Sequence, residues 1–227
     1  MKRLFTAVFF LLLWTQTNAQ IHELGVFLGG SNYIGDVGPT TYIAPKDFSF
    51  GVLYKWNRST RHSYRISYTQ GKITSDDLDS DASARKKRGY NFENEIKELS
   101  AGLEFNFFDF DLHNSGFLFT PYVYTGISGF RYDELYVLNG QTKTDDSKYS
   151  LAIPMTLGVK TRIANSFVLG LESSVKYTFT DNLDGSNPSN SDYASLRFGN
   201  LNSNDWYVFT GVTLTYTFGQ NPCFCAE

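Results

Sequence analysis

Along most of the chain, apolar and polar residues alternate with a period of two, the pattern of strands with two unlike faces. Eight segments carry it. In residues 22–30, HELGVFLGG, Leu24, Val26 and Leu28 share a face. In 48–56, Phe48, Phe50, Val52, Tyr54 and Trp56 alternate with Ser49, Gly51, Leu53 and Lys55. Over 62–71, Tyr64, Ile66 and Tyr68 stand against Arg65, Ser67 and Thr69. Over 97–108, Leu99, Ala101, Leu103, Phe105 and Phe107 oppose Glu98, Ser100, Gly102, Glu104 and Asn106. The segment 117–131 has less distinct faces, with Val123 and Ile127 assigned to the apolar side and Tyr124, Gly126 and Ser128 to the other. In the sixth, Leu151, Ile153, Met155, Leu157 and Val159 oppose Pro154, Thr156, Gly158, Lys160 and Arg162. Pro154 has no N–H to give a ladder, so a bulge or weakened pairing is expected there. The seventh sets Phe167, Leu169, Leu171, Val175, Tyr177 and Phe179 against Gly170, Glu172, Ser174 and Lys176. The eighth, 205–218, sets Trp206, Val208, Val212, Leu214, Tyr216 and Phe218 against Gly211, Thr213, Thr215 and Thr217.

The connections alternate as strictly as the residues do. Long polar stretches, 31–47, 72–96, 132–148 and 180–204, follow the odd-numbered segments; short turns such as NRST, FDLHNSG and ANS follow the even ones. Short periplasmic turns and long external loops are the rule for outer-membrane barrels. The pattern therefore predicts an all-β fold, an eight-stranded antiparallel transmembrane β-barrel with both termini periplasmic. A lipocalin-like barrel or β-sandwich also alternates, but gives no reason for the loop asymmetry. The polar face then lines the lumen. Arg65, Glu98, Glu104, Lys160, Arg162, Glu172 and Lys176 are expected to form a paired network there, since buried charges need partners. Eight strands leave room only for side chains, so no wide channel is expected.

Composition fits this picture. Tyr (15) and Phe (20) are abundant, Met (2) and Pro (6) scarce. Lys2 and Arg3 precede an apolar run from Leu4 to Trp14, then Thr17 and Ala19, which reads as a secretory signal cleaved after Ala19. The expected organisation is a signal peptide at 1–19, a barrel at 20–219 and a periplasmic tail at 220–227. Removing Lys2 and Arg3 takes the net charge from -3 to -5, which offers nucleic acid no basic footprint.

Candidate chemistry is sparse. His22, His62 and His113 fall at the periplasmic rim, where a link from His22 or His62 to Asp109 or Asp111 is the single catalytic arrangement to check. No catalytic residue, metal site, cofactor or small-molecule substrate is expected. Asp76, Asp77, Asp79 and Asp81 lack the Gly and terminal Glu of a calcium loop. The stretch SDDLDSDASARKKR reads as a solvated, mobile external loop, and DNLDGSNPSNSD as a turn-rich surface one. The two cysteines, Cys223 and Cys225, lie in the tail with Pro222 and Phe224. Three arrangements are open to them: a bond to another chain, a strained local bond, or free thiols.

Several stretches are shared with a known group. ELGVFLGGSNYIGDVGP, KELSAGLEFNFFDF, FTPYVYTGISGF, IPMTLGVK, KYTFTDNLDG and DWYVFTGVTLTYTF resemble the PorG family, the small outer-membrane barrel of the type IX secretion system of Bacteroidetes. The resemblance spans essentially the whole chain after the signal. It implies a barrel without catalysis, associated with a periplasmic ring of a PorK- or GldK-like lipoprotein and its PorN- or GldN-like partner, and serving protein export and gliding. It further implies that the partner-binding surface is the periplasmic edge: the tail through Pro222, Cys223, Phe224 and Cys225, and the turns that carry Arg58 and His113. On that basis Cys223 or Cys225 is expected to bond or dock to the ring. The alternative is a structural or adhesive barrel acting through its external loops.

Overall fold

The computed structural model describes residues 21–112 and 116–219. The expected signal segment, His113 and the tail with Pro222, Cys223, Phe224 and Cys225 lie outside the described residues. Eight antiparallel strands close into a ring in sequence order: β1 (Ile21–Ile34), β2 (Asp47–Asn57), β3 (His62–Asp76), β4 (Asn91–Asn106), β5 (Phe119–Leu138), β6 (Gln141–Ala164), β7 (Phe167–Thr178) and β8 (Trp206–Phe218). Among the described residues no helix is long and apolar enough to cross a membrane.

The registers define the barrel. Stepping from partner to partner runs Ile21, Asn57, Ser63, Glu104, Tyr124, Thr156, Ser174, Phe209 and back into β1 at Ser31, ten residues above the start. That stagger tilts the strands and sets the bore. The expected outward faces hold. Leu24, Val26 and Leu28 on β1, Leu99 on β4, Ile127 on β5, Leu157 on β6 and Leu171 on β7 are exposed, which gives the barrel an apolar girdle of outer-membrane type. Aromatic pairs mark its edges, with Trp56–Tyr64 and Phe167–Tyr216 at the lower rim and Tyr177–Trp206 at the upper. At Pro154 the β5–β6 pairing skips from Thr125–Met155 to Ser128–Ala152 with the register kept, so the ladder weakens there without a bulge.

The strands run further outward than the alternation predicts, because the sense of the pattern reverses beyond the membrane. On β4, Leu99 and Leu103 face lipid, whereas Phe92 and Ile96 face inward and Asn91 and Glu93 face water. Ile73 on β3 and Tyr132 and Val137 on β5 obey the same inverted rule. The expected loop 132–148 is therefore a hairpin, turned at Asn139 (φ 54) and Gly140 (φ 77), the Asn-Gly pair that a two-residue turn with positive φ favours.

Candidate functional site

The lumen is filled by three tiers of paired polar groups and by an apolar cluster that runs from among them into the outer mouth. In the lowest tier Asn57 Nδ2 (2.8 Å) and Thr215 Oγ1 (2.6 Å) donate to Glu23, and Ser63 Oγ donates to Asn57 Oδ1 (2.6 Å). The middle tier centres on Glu104, which meets Lys55 at 2.8 Å, Lys160 at 2.6 Å and Arg65 at 3.7 Å. Arg65 also grips Glu172 through two 2.7 Å bonds, and Tyr122 Oη donates to the same carboxylate at 2.5 Å. In the third tier Glu98 takes Lys176 at 2.8 Å and the Tyr207 hydroxyl at 2.5 Å.

Four carboxylates (Glu23, Glu98, Glu104, Glu172) face four cations (Lys55, Arg65, Lys160, Lys176), and all eight are buried. The bore is therefore electrically neutral, as burial away from water demands. Phe27, Leu53, Phe130 and Phe209 join Ile73, Ile96 and Leu183 in one continuous apolar cluster that reaches up into the mouth. The hollow between Phe27, Arg65, Tyr124, Glu172 and Lys176 holds about 10 Å³, barely one water.

Of the residues expected in the network, Arg65, Glu98, Glu104, Lys160, Glu172 and Lys176 are brought together. Arg162 is not. It lies opposite Val168 at the periplasmic end of β6, beyond the lowest tier, and donates to the carbonyls of Leu112 (3.4 Å) and Gly116 (2.5 Å). Lys55 and Glu23 belong to the network but escape the sequence reading, although Lys55 shares its face with Ser49 and Gly51. Tyr122 and Tyr207 join the network through their hydroxyls, whereas the one expected from the sequence holds charged residues alone.

On the periplasmic rim the two described histidines are engaged by tyrosine, serine and aromatic neighbours. His22 Nδ1 pairs with the Tyr54 hydroxyl at 2.7 Å and stacks on Phe218; His62 Nδ1 pairs with Ser59 Oγ at 3.2 Å. Asp109 is taken by Arg61 Nε (2.7 Å) and Thr60 Oγ1 (3.1 Å), and the Arg61 guanidinium holds its carboxyl below the usual range. Arg58 is exposed in the β2–β3 turn, where its N–H donates to the His62 carbonyl at 2.9 Å. Among the described residues no group of three or more His, Cys, Asp or Glu could hold a metal ion.

The outer crown is more ordered than its composition predicts. The stretch expected to be a mobile loop forms a 3₁₀ turn (Asp77–Asp79) and a helix, α1 (Ser83–Arg88). Arg88 pairs with buried Asp77 at 2.7 Å, and Arg85 donates to the Gly35 (2.9 Å) and Gly38 (2.5 Å) carbonyls. Burial opposes the charge on Asp77, but the Arg88 guanidinium and the N–H groups of Gly38 and Tyr90 outweigh it and lower its pKa. The stretch DNLDGSNPSNSD, expected on the surface, instead inserts Leu183 into the barrel mouth and buries Asn182, Asp184 and Ser186.

The β1–β2 connection folds back over the outer wall. Outward-facing Asn32 donates to the carbonyls of Thr41 (3.1 Å) and Tyr42 (3.2 Å) and accepts from Ala44 N (3.3 Å). Gly30 lets it lie close, since a Cβ there would sit 2.6 Å from Pro45 Cβ. Val208, expected to face lipid, is opposite Asn32 in the ladder and fully buried under this strap.

A family model described as a domain of unknown function, DUF6089, matches residues 2–227. No curated protein matches the chain in sequence. Among solved structures, the chain is similar to Ail, the attachment invasion locus protein of Yersinia pestis, solved with the heparin analogue sucrose octasulfate. That match has 10% identity and a TM-score of 0.48, and covers 88% of this chain and 99% of Ail. Neisserial surface protein A matches at 11% identity and a TM-score of 0.45, covering 88% of this chain and 97% of that one. A major outer membrane protein from Thermus thermophilus matches at 15% and 0.45, covering 88% and 100%.

Proposed function

The chain belongs to the DUF6089 family, and we propose that it is a non-enzymatic outer-membrane barrel that works through its periplasmic edge. On this reading it holds a periplasmic lipoprotein ring of the type IX secretion machinery to the outer membrane, and serves gliding in species that glide. The partners are the PorK- or GldK-like lipoprotein, its PorN- or GldN-like companion and outer-membrane lipid.

One observation carries the reading: the lumen is neutral, paired and plugged. A barrel that passes nothing and has no catalytic constellation among its described residues is left with its surfaces. The sequence resemblance favours the periplasmic one, and the tail through Pro222, Cys223, Phe224 and Cys225 with the turns at Arg58 and His113 is the proposed docking edge.

The ordered crown supports the second reading, a structural or adhesive barrel acting outward. Two deletions separate the two. Truncation after Gly219 abolishes secretion of type IX cargo if the periplasmic reading holds. Removal of residues 132–148 leaves secretion intact on that reading. The opposite pattern would assign function to the crown.

A further inference from the structure

The outer crown holds a group of carboxylates that neither the sealed lumen nor the periplasmic edge uses. Asp205 immediately precedes β8, Asp184 lies in the segment that inserts Leu183, and both are inaccessible to solvent. The Tyr33 hydroxyl, at the top of β1, accepts from Asp36 N (3.2 Å) and donates to Asp205 Oδ1. The other oxygen of Asp205 accepts from Leu183 N at 2.8 Å. Asp184 faces the same tyrosine hydroxyl, and its Oδ1 accepts from Ser186 N at 2.8 Å. Its Oδ2 meets no donor among the described residues.

A hydroxyl has one hydrogen to give, and here Asp205 takes it. An ionised carboxylate oxygen buried without a donor is costly, so the pair needs one proton more than Tyr33 can supply. We propose that Asp184, Asp205 and Tyr33 form a proton-operated latch, which keeps the segment 180–205 in the barrel mouth while the carboxyl pair carries a proton and frees it when that proton is lost.

The surroundings reinforce retention of the proton. Asp36 faces the pair from the β1–β2 connection, Asp181 from the same segment and the Tyr132 hydroxyl from β5. The cation in reach of Asp184, Arg88 of α1, is already engaged by Asp77 at 2.7 Å. Burial, with the neighbouring acids, pushes the Asp205 and Asp184 carboxyls up; burial also pushes Asp181 up to about 6. A solvated aspartate titrates near about 4. The closed crown therefore binds protons more tightly than the open one. Its extra stability is complete below about pH 4 and falls as the pH rises through the closed-state values of Asp181 and the pair.

The Leu183 and Ser186 amides, bonded to these carboxylates, read the latch directly. The test is their hydrogen-exchange protection, corrected for intrinsic rates, in the mature protein in phosphatidylcholine vesicles between pH 5 and 9. Above the closed-state pKa, protection should fall about tenfold per pH unit for each linked proton, while the β7 amides keep theirs. D184N supplies its own hydrogens, so it should stay protected across the range; D205N serves if D184N fails to fold. A flat wild-type profile, or an unchanged slope in the variant that folds, would overturn the latch. So would loss of protection on adding a chelator at constant pH, since a cation would then be neutralising the pair.

Discussion

Glu104 is the side chain on which the neutral lumen most depends. It is fully buried and meets Lys55 at 2.8 Å and Lys160 at 2.6 Å, with Arg65 at 3.7 Å. Glu104→Gln keeps the volume and one acceptor but leaves the bore with four cations and three anions. At an effective dielectric of about 20, one unit pair at such distances attracts by about 6 kcal/mol, most of it offset by desolvation. Removing one partner of a buried pair costs about 3–5 kcal/mol because the stranded charge keeps its desolvation penalty. We expect a loss in that range, measured by reversible urea unfolding in vesicles. Lys160→Met added to Glu104→Gln restores neutrality, and the double variant should recover at least half of the loss. A single-variant loss below about 1 kcal/mol, or double-variant losses that simply add, would refute the view that Glu104 acts by balancing charge.

Further outcomes follow from the same geometry. Arg65→Lys keeps the charge but not the two-pronged grip on Glu172, and should lower stability by about 1–3 kcal/mol in the same unfolding assay. Leu183→Ala removes a side chain buried in the mouth; a cost of about 2–5 kcal/mol is expected, seen as proteolysis within 180–205 while β1 to β8 stay protected. Gly140→Val forces a β-branched residue to φ 77 at the hairpin tip, so proteolysis should appear at 139–148 with barrel unfolding unchanged. Wild-type protein in planar bilayers should show no stable ion conductance, and a steady single-channel current would contradict the sealed lumen.

Within the membrane the fold is legible in the sequence because one side of each strand meets lipid and the other a polar bore. Even the ambiguous β5 is assigned correctly, with Val123 and Ile127 outward and Tyr124 and Ser128 inward. Beyond the membrane the same strands meet water outside and an apolar core inside, so the alternation continues with its meaning reversed. Phe92, Ile96 and Ile73 consequently read as loop residues. The Asn139-Gly140 turn is a signal in plain sight, obscured because the returning half, QTKTDDSK over 141–148, has no apolar residue on either face. Charge pairing in the lumen follows from facing alone, but the tiers depend on the ten-residue stagger, which no single strand reveals. Leu183 and Asp184 are hidden for another reason: DNLDGSNPSNSD has the composition of a surface turn, and only tertiary insertion buries it.

If the plugged barrel works through its periplasmic edge, as proposed, it should leave the membrane together with its ring partner. Intact protein, a variant truncated after Gly219 and a Cys223→Ser/Cys225→Ser double variant are each captured from gently solubilised native membranes, with companions identified by mass. We expect the intact chain to bring down a periplasmic lipoprotein ring component and the truncated chain to lose it at equal barrel abundance. Capture of the same lipoprotein by intact and truncated chains alike, or by neither, would contradict the account.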